Sequence, residues 1–218
     1  MNSLNSNCWP AAPQPTRPSA AAGAPGKIVV GMTGATGAIL GIRLLEALKA
    51  LGVETHLIVS RWARATIQME TDYAVRDVLD LATKVYSERD QAAAISSGSF
   101  RTEGMVVVPC SMKTLAAIRM GYADELVVRA ADVTLKERRR LVIVPRESPL
   151  SAIHLENMLA LTQAGAQMLP PMPAFYNRPA STDDIVNHIV ARILDQFGLD
   201  NDLTVRWTGP TPLSKEKT

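Results

Sequence analysis

Several classes of protein are excluded by what this chain has little of. Two cysteines in 218 residues, Cys8 and Cys110, stand far apart in unlike contexts. They argue against a disulfide framework and for a reducing, cytoplasmic compartment. Cys110 ends an apolar run and reads as a small core residue, not a nucleophile. The three histidines, His56, His154 and His188, show no H-E-x-x-H pattern and no Cys/His clustering, so no metal site is expected. Lys and Arg total 23 against 21 Asp and Glu, a formal net charge of +2. That excess is too small to suggest a nucleic acid or a membrane as partner. No apolar run approaches the length of a membrane span.

What is present is a globular composition, 47% hydrophobic with aromatics sparse at 5%. Residues 1–26, rich in Pro, Ala and Ser, read as a disordered leader. No cationic start precedes a continuous apolar segment there, and the lone Arg17 is fewer than a mitochondrial presequence carries. Residues 27–209 read as a single domain and 210–218 as a polar tail. From Lys27 onward short β-branched runs recur at KIVVGM, VETHLIVS, MVVVPCS, LVIVPR and, weakly, AQMLP. Between them lie stretches of helical period: AILGIRLLEALKAL, WARATIQME, AVRDVLDLA, MKTLAAI, DELVVRAADVTLKE, SAIHLENMLALTQAG and TDDIVNHIVARILDQFG. This alternation predicts an α/β fold, a Rossmann-like, doubly wound, mainly parallel sheet with helices on both faces.

Ligands of such sheets sit at the carboxyl ends of the strands. Four loops fall there: Thr33 to Gly37, Ser60 to Trp62, Ser111 to Thr114, and Arg146 to Pro149. Hydroxyls and cations gather in all four, which points to a shared polar ligand. The first loop is glycine-rich, as phosphate-cradling turns are. A dinucleotide would ask for G-x-G-x-x-G and an acid about 20 residues later. The spacing here is Gly31-x-x-Gly34-x-x-Gly37, and the second strand ends in Ser60. A mononucleotide with one phosphate fits this loop better, and so does a turn that only closes strand onto helix.

The segments TGATG, METD, SGSF, PCSMKTLAAI, RAADVTLKERR, LVIVPRESP, HLENML and PAFYNRP, in order from Lys27 to Trp207, resemble the UbiX/Pad family of flavin prenyltransferases. The resemblance implies a flavoprotein fold, assembly into a homododecamer and FMN bound between subunits. It implies transfer of a dimethylallyl group from dimethylallyl monophosphate to N5 and C6 of reduced FMN, for use by a UbiD-type decarboxylase. By motif position, FMN would be bound by Gly34, Ala35, Thr36, Ser60, Ser111, Met112, Lys113, Thr114 and Arg146. Thr36 stands where many members carry Ser and keeps the catalytic hydroxyl. Arg129, Lys136, Tyr176 and Arg192 match the family's prenyl-phosphate residues, where fixed cations would meet the charge on a leaving phosphate. Lys136 and Glu147 are implied catalytic, Glu147 handling the phosphate and its proton. Glu70, in MET, would assist proton loss at the flavin.

On residue type alone, Arg192 reads as a solvated side chain of an amphipathic helix and Lys136 as a dipole partner at a helix end. Prenyltransferases that use magnesium carry Asp-rich motifs. Here Asp183-Asp184 follow Ser181-Thr182 at a helix start and read as capping residues. Two other functions fit the same fold or client: an FMN-dependent cysteine decarboxylase, and an accessory subunit that carries FMN without chemistry. The first needs a catalytic His and a PxMN-type motif, which are not apparent; the second does not need Glu70, Lys136, Glu147, Tyr176 and Arg192 together.

The missing ribose acid makes a prediction. Purified protein titrated with each nucleotide should bind FMN and ignore NAD; tight NAD binding without FMN affinity would defeat this reading.

Overall fold

A computed structural model describes residues 26–209. The expected leader (apart from Gly26) and the C-terminal tail lie outside the described residues. Strand β1 (Lys27–Met32) leads through helix α1 (Ala38–Ala50) to β2 (Glu54–Val59). Helices α2 (Arg61–Glu70) and α3 (Val75–Leu79) precede a short strand, β3 (Lys84–Tyr86). After a 3-10 turn (Ala94–Ser96) come β4 (Gly104–Cys110), α4 (Met112–Met120), α5 (Leu126–Lys136) and β5 (Arg140–Pro145). The last elements are α6 (Ala152–Gln163), β6 (Gln167–Met168) and α7 (Thr182–Gln196).

The six strands lie in the order β3-β2-β1-β4-β5-β6, and every neighbouring pair is parallel. The chain therefore winds outward from β1 to one edge, returns to β4, and winds to the other edge. β1 and β4 are neighbours whose crossovers leave in opposite directions, so the crevice of this fold opens between their carboxyl ends.

Both sheet faces are buried, which is why the strands are near-continuous apolar runs. Ile28, Val30 and Met32 of β1 join Val106 and Val108 of β4 and Val142 and Val144 of β5 under α1, α2 and α7. The alternate residues, Val29, Met105, Val107, Leu141 and Ile143, face α4, α5 and α6. Cys110, fully buried, belongs to this second cluster, and burial pushes its thiol up. It is the core residue expected.

Two details depart from the sequence pattern. β3 was not anticipated: its three residues are too few for a period, and Lys84 and Val85 are exposed. It forms because His56, Leu57 and Ile58 of β2 present a ladder for it. AVRDVLDLA predicts more helix than the five residues of α3, which buries only Val78. At the other end of the chain, Ser181 and Asp184 form a capping box on α7, as the capping reading expects.

Gly41 sets how close α1 lies to the sheet. A Cβ there would stand 2.9 Å from the Val108 carbonyl oxygen and 2.6 Å from the Met32 Cε. Met32 can swing aside, but the strand carbonyl cannot. Gly41→Ala should therefore lose about 1–2 kcal/mol of stability, since overpacking outweighs the roughly 1 kcal/mol gained in helix propensity. A denaturant titration would read this, and an unchanged or raised midpoint would show that the helix has room to lift.

Candidate functional site

The crevice is held together by short bonds across the strand ends. Thr33, 3% exposed, donates its hydroxyl to the Pro109 carbonyl at 2.8 Å, and its Oγ1 accepts the Ser111 N–H at 2.8 Å. The Thr33 N–H donates to the same Pro109 carbonyl at 3.2 Å. The neighbouring loops are tied likewise, Ser60 N–H to the Met32 carbonyl at 3.0 Å and Arg146 N–H to the Cys110 carbonyl at 3.1 Å. All four loops singled out in the sequence thus form one continuous rim.

Three helices start on this rim. Ser60 caps α2, its Oγ accepting the Ala63 N–H at 3.1 Å. Ser111 caps α4, accepting the Thr114 N–H at 3.3 Å and meeting the Thr114 hydroxyl at 3.1 Å. α1 has no such residue: its N-cap, Gly37, sits at φ 99°, a left-handed turn that suits glycine. Its free N–H groups are taken instead by Glu70 from the end of α2. One Glu70 oxygen accepts from Gly37 N–H at 2.8 Å and Ala38 N–H at 3.0 Å. Burial pushes the Glu70 carboxyl up. Hydrogen bonds from the Thr36 side chain and from the Ala38 and Gly37 N–H groups, with the charge of Arg146, more than offset this and hold it below its ordinary value.

Gly34 is exposed at the centre of the rim, while Ala35 is buried and Thr36 half-buried. A Cβ on Gly34 would meet Trp62 Cβ at 2.4 Å, so the turn and α2 need glycine to pack. Of the other expected FMN contacts, Thr114 is buried, Met112 is half-buried and Arg146 is exposed. The Lys113 ammonium points elsewhere, to Glu125 at 2.7 Å. Glu147 follows Arg146 on the rim, accepting the Ser148 N–H at 3.0 Å.

The remaining expected residues fall in two other places. Arg129 lies on α5, bonded to the Ser96 carbonyl at 3.1 Å and Asp132 at 2.8 Å. Lys136 ends that helix about 10 Å further along its axis, paired with Glu137. α5 runs back toward the strands' amino ends, so Lys136 lies at the opposite end of the sheet from the crevice. Tyr176 packs against α7, the helix that carries Arg192. Tyr176 packs edge-on against His188 at 5.7 Å and Trp207 at 5.6 Å, and Arg192 pairs with Asp195 at 2.7 Å. Among the described residues, the hydrogen bonds and ring contacts of these four side chains do not reach the crevice loops.

No group of three or more His, Cys, Asp or Glu that could hold a metal occurs among the described residues. Nor is any described helix long and apolar enough to cross a membrane.

A family model described as Flavoprotein matches residues 18–194. The Escherichia coli O157:H7 protein named "Probable UbiX-like flavin prenyltransferase" is 65% identical over 84% of this chain and 93% of its own length. The chain belongs to the UbiX-like flavoproteins. The crystal structure of a dodecameric FMN-dependent UbiX-like decarboxylase from that organism is 65% identical, with TM-score 0.83 over 84% of this chain and 100% of the other. AnUbiX (PadA1), crystallised with FMN and dimethylallyl pyrophosphate, is 58% identical, with TM-score 0.85 over 86% of this chain and 100% of the other.

Sequence reading missed one residue on which this UbiX-like crevice depends. Thr33 looked like one more polar loop residue; only the fold puts Pro109 and Ser111 against it. Thr33→Val keeps the shape and removes both side-chain bonds, leaving the half-buried Ser111 N–H without its partner. We expect a loss of about 1–3 kcal/mol in stability and weaker FMN binding, with Thr33→Ser close to the parent. Equal FMN affinity in all three forms would show that the Ser111 loop needs no anchor.

Proposed function

We propose that the chain transfers a dimethylallyl group from dimethylallyl monophosphate to N5 and C6 of reduced FMN, and that the product serves a UbiD-type decarboxylase. The observation that carries this is the ionised Glu70, fixed beside Thr36 and within the field of Arg146 at the crevice of a UbiX-like chain.

The crevice residues fit FMN as acceptor. Gly34 leaves backbone open to close approach, and Ser60, Ser111, Thr114 and Arg146 supply hydroxyls and a cation for phosphate and carbonyl oxygens. Ala35, Thr36, Met112 and the backbone of Lys113 complete the wall. The N-terminus of α1 is already used by Glu70, so the phosphate would be held by the neighbouring loops. A lowered pKa keeps Glu70 in the form that accepts a proton, the role we assign to it with Thr36 at hand.

The prenyl phosphate would be met by Arg129, Lys136, Tyr176 and Arg192, with Glu147 taking part in proton transfer. Because Arg129, Lys136, Tyr176 and Arg192 sit apart from the crevice in one chain, the reading requires that neighbouring copies complete each site, in a homo-oligomer of the dodecameric kind. The exposed apolar residues around α6 support this. Ile153, Leu155 and Leu159 are 68%, 52% and 59% exposed, and Leu161 alone on that helix is buried. We place the protein in the cytoplasm, where the thiol of Cys110 would stay reduced.

Anaerobic incubation of the full chain with reduced FMN and dimethylallyl phosphate should add the mass of one dimethylallyl group to the flavin. Glu70→Gln should bind FMN normally and form that product about 100- to 10,000-fold more slowly. Mixed oligomers of Glu70→Gln and Lys136→Ala should regain part of the activity, since each variant repairs the other's sites. Bound FMN of unchanged mass would leave a carrier, not a transferase.

A further inference from the structure

The C-terminal segment 199–209 folds back over α7 and is fastened there at two points. His188, on α7, meets the Thr204 hydroxyl through Nδ1 at 3.0 Å, and Asn177 donates to that hydroxyl at 3.4 Å. Arg206 then grips Asp195 with both terminal nitrogens, at 2.7 and 3.1 Å. The same carboxylate takes Arg192 at 2.7 Å. Asp195 is 16% exposed in its side chain, whereas Arg192 is 53% exposed. One end of the Arg192 guanidinium is therefore tied down and its remaining N–H donors face outward. Trp207, next to Arg206, reaches the ring of Tyr176 at 5.6 Å.

A free arginine on a helix surface samples many rotamers, and fixing it on binding an anion costs side-chain entropy. Here that entropy is already lost in the unliganded chain. Two guanidiniums on one carboxylate still leave a net positive charge, so the cluster attracts an anion despite the acid at its centre. The Arg206 hydrogen bond outweighs burial and, with Arg192, holds the Asp195 carboxyl below its ordinary range. It thus stays a carboxylate throughout neutral pH.

We propose that Asp195, locked by Arg206 of the folded-back segment, is a positioning residue that presents Arg192 to the prenyl phosphate. This rests on the reading of Arg192 as a phosphate ligand. It makes the carboxyl-terminal segment part of substrate capture, through a salt-bridge relay from Arg206 to Asp195 to Arg192.

The test is steady-state turnover of the full chain, with reduced FMN saturating and dimethylallyl phosphate varied. Asp195→Asn should raise KM about ten-fold while kcat stays within about two-fold and FMN affinity is unchanged. Asp195→Glu, which keeps the charge, should recover most of the loss. Asp195→Asn added to Arg192→Ala should cost nothing more, since the acid acts through that arginine. Arg206→Gln, at an exposed position, should give a smaller rise in KM and carries the test if Asp195→Asn fails to assemble. An unchanged KM in Asp195→Asn or, should that variant not assemble, in Arg206→Gln overturns the proposal, as does a fall in kcat alone. If Arg192→Ala itself leaves KM unchanged, the phosphate reading and the relay fall together. If Arg192→Ala raises KM and Asp195→Asn does not, only the relay falls.

Discussion

A single buried hydroxyl ties the two halves of this fold together at the crevice, beyond the end of the β1–β4 ladder. Thr33 follows β1 and touches the end of β4, the two strands whose crossovers leave in opposite directions. Pairing between β1 and β4 extends only to Gly31 and Val107, and the register of β4 shifts before Cys110. Pro109 lies in that irregular stretch, where it offers a carbonyl but has no N–H for a ladder. Threonine is suited to the gap because its hydroxyl donates and accepts at once. It satisfies the Pro109 carbonyl and the Ser111 N–H, and so sets the distance between the glycine-rich turn and the start of α4.

Once that distance is fixed, the electrostatics of the crevice follow from helix ends. α1, α2 and α4 all begin at the rim, and each N-terminus carries partial positive charge. Two of the three are met by acids of the chain itself. Glu70 holds the Gly37 and Ala38 N–H groups, and Glu88 accepts the Arg61 N–H at 2.7 Å. These carboxylates occupy seats that an external anion could otherwise take. The glycine-rich turn therefore serves less as a phosphate cradle than as the holder of a carboxylate, kept ionised beside the Thr36 hydroxyl. One turn serves both for close approach of a ligand and for tuning an acid.

The distribution of cations gives the molecule its second organising feature. Arg146 is on the rim, Arg129 and Lys136 on α5, and Arg192 on α7, in three separate places. Each of the last three is already held by a carboxylate: Asp132, Glu137 or Asp195. Surface pairs of this sort add little to folding stability. Their effect is on geometry, because a guanidinium or ammonium held in place needs less ordering when an anion arrives. The exposed apolar residues of α6 are consistent with the proposed homo-oligomer, in which other copies of the chain would cover them.

The fold class and the rim were legible in the sequence, for a local reason. A strand buried on both faces must be apolar throughout, an amphipathic helix must repeat near 3.6, and loops at strand ends are fixed once strand order is known. KIVVGM, MVVVPCS and LVIVPR could hardly be anything else, and their following loops carried the hydroxyls and Arg146. Motif resemblance added Glu70, whose place 33 residues beyond Gly37 in sequence gave no local sign that it closes α1. β3 escaped notice because three residues, two of them exposed, carry no pattern of their own. Thr33, Asp195 and Arg206 escaped for a different reason: their roles lie in partners 76, 11 and 11 residues away, reached by one or two side-chain hydrogen bonds. Sequence by itself determined the long strands and helices, since those depend on local periodicity, but not the three residues of β3. Tertiary structure alone decided which loop ends meet, which acid caps α1 and which cations stay apart, because those are fixed by strand order and packing across the whole sheet.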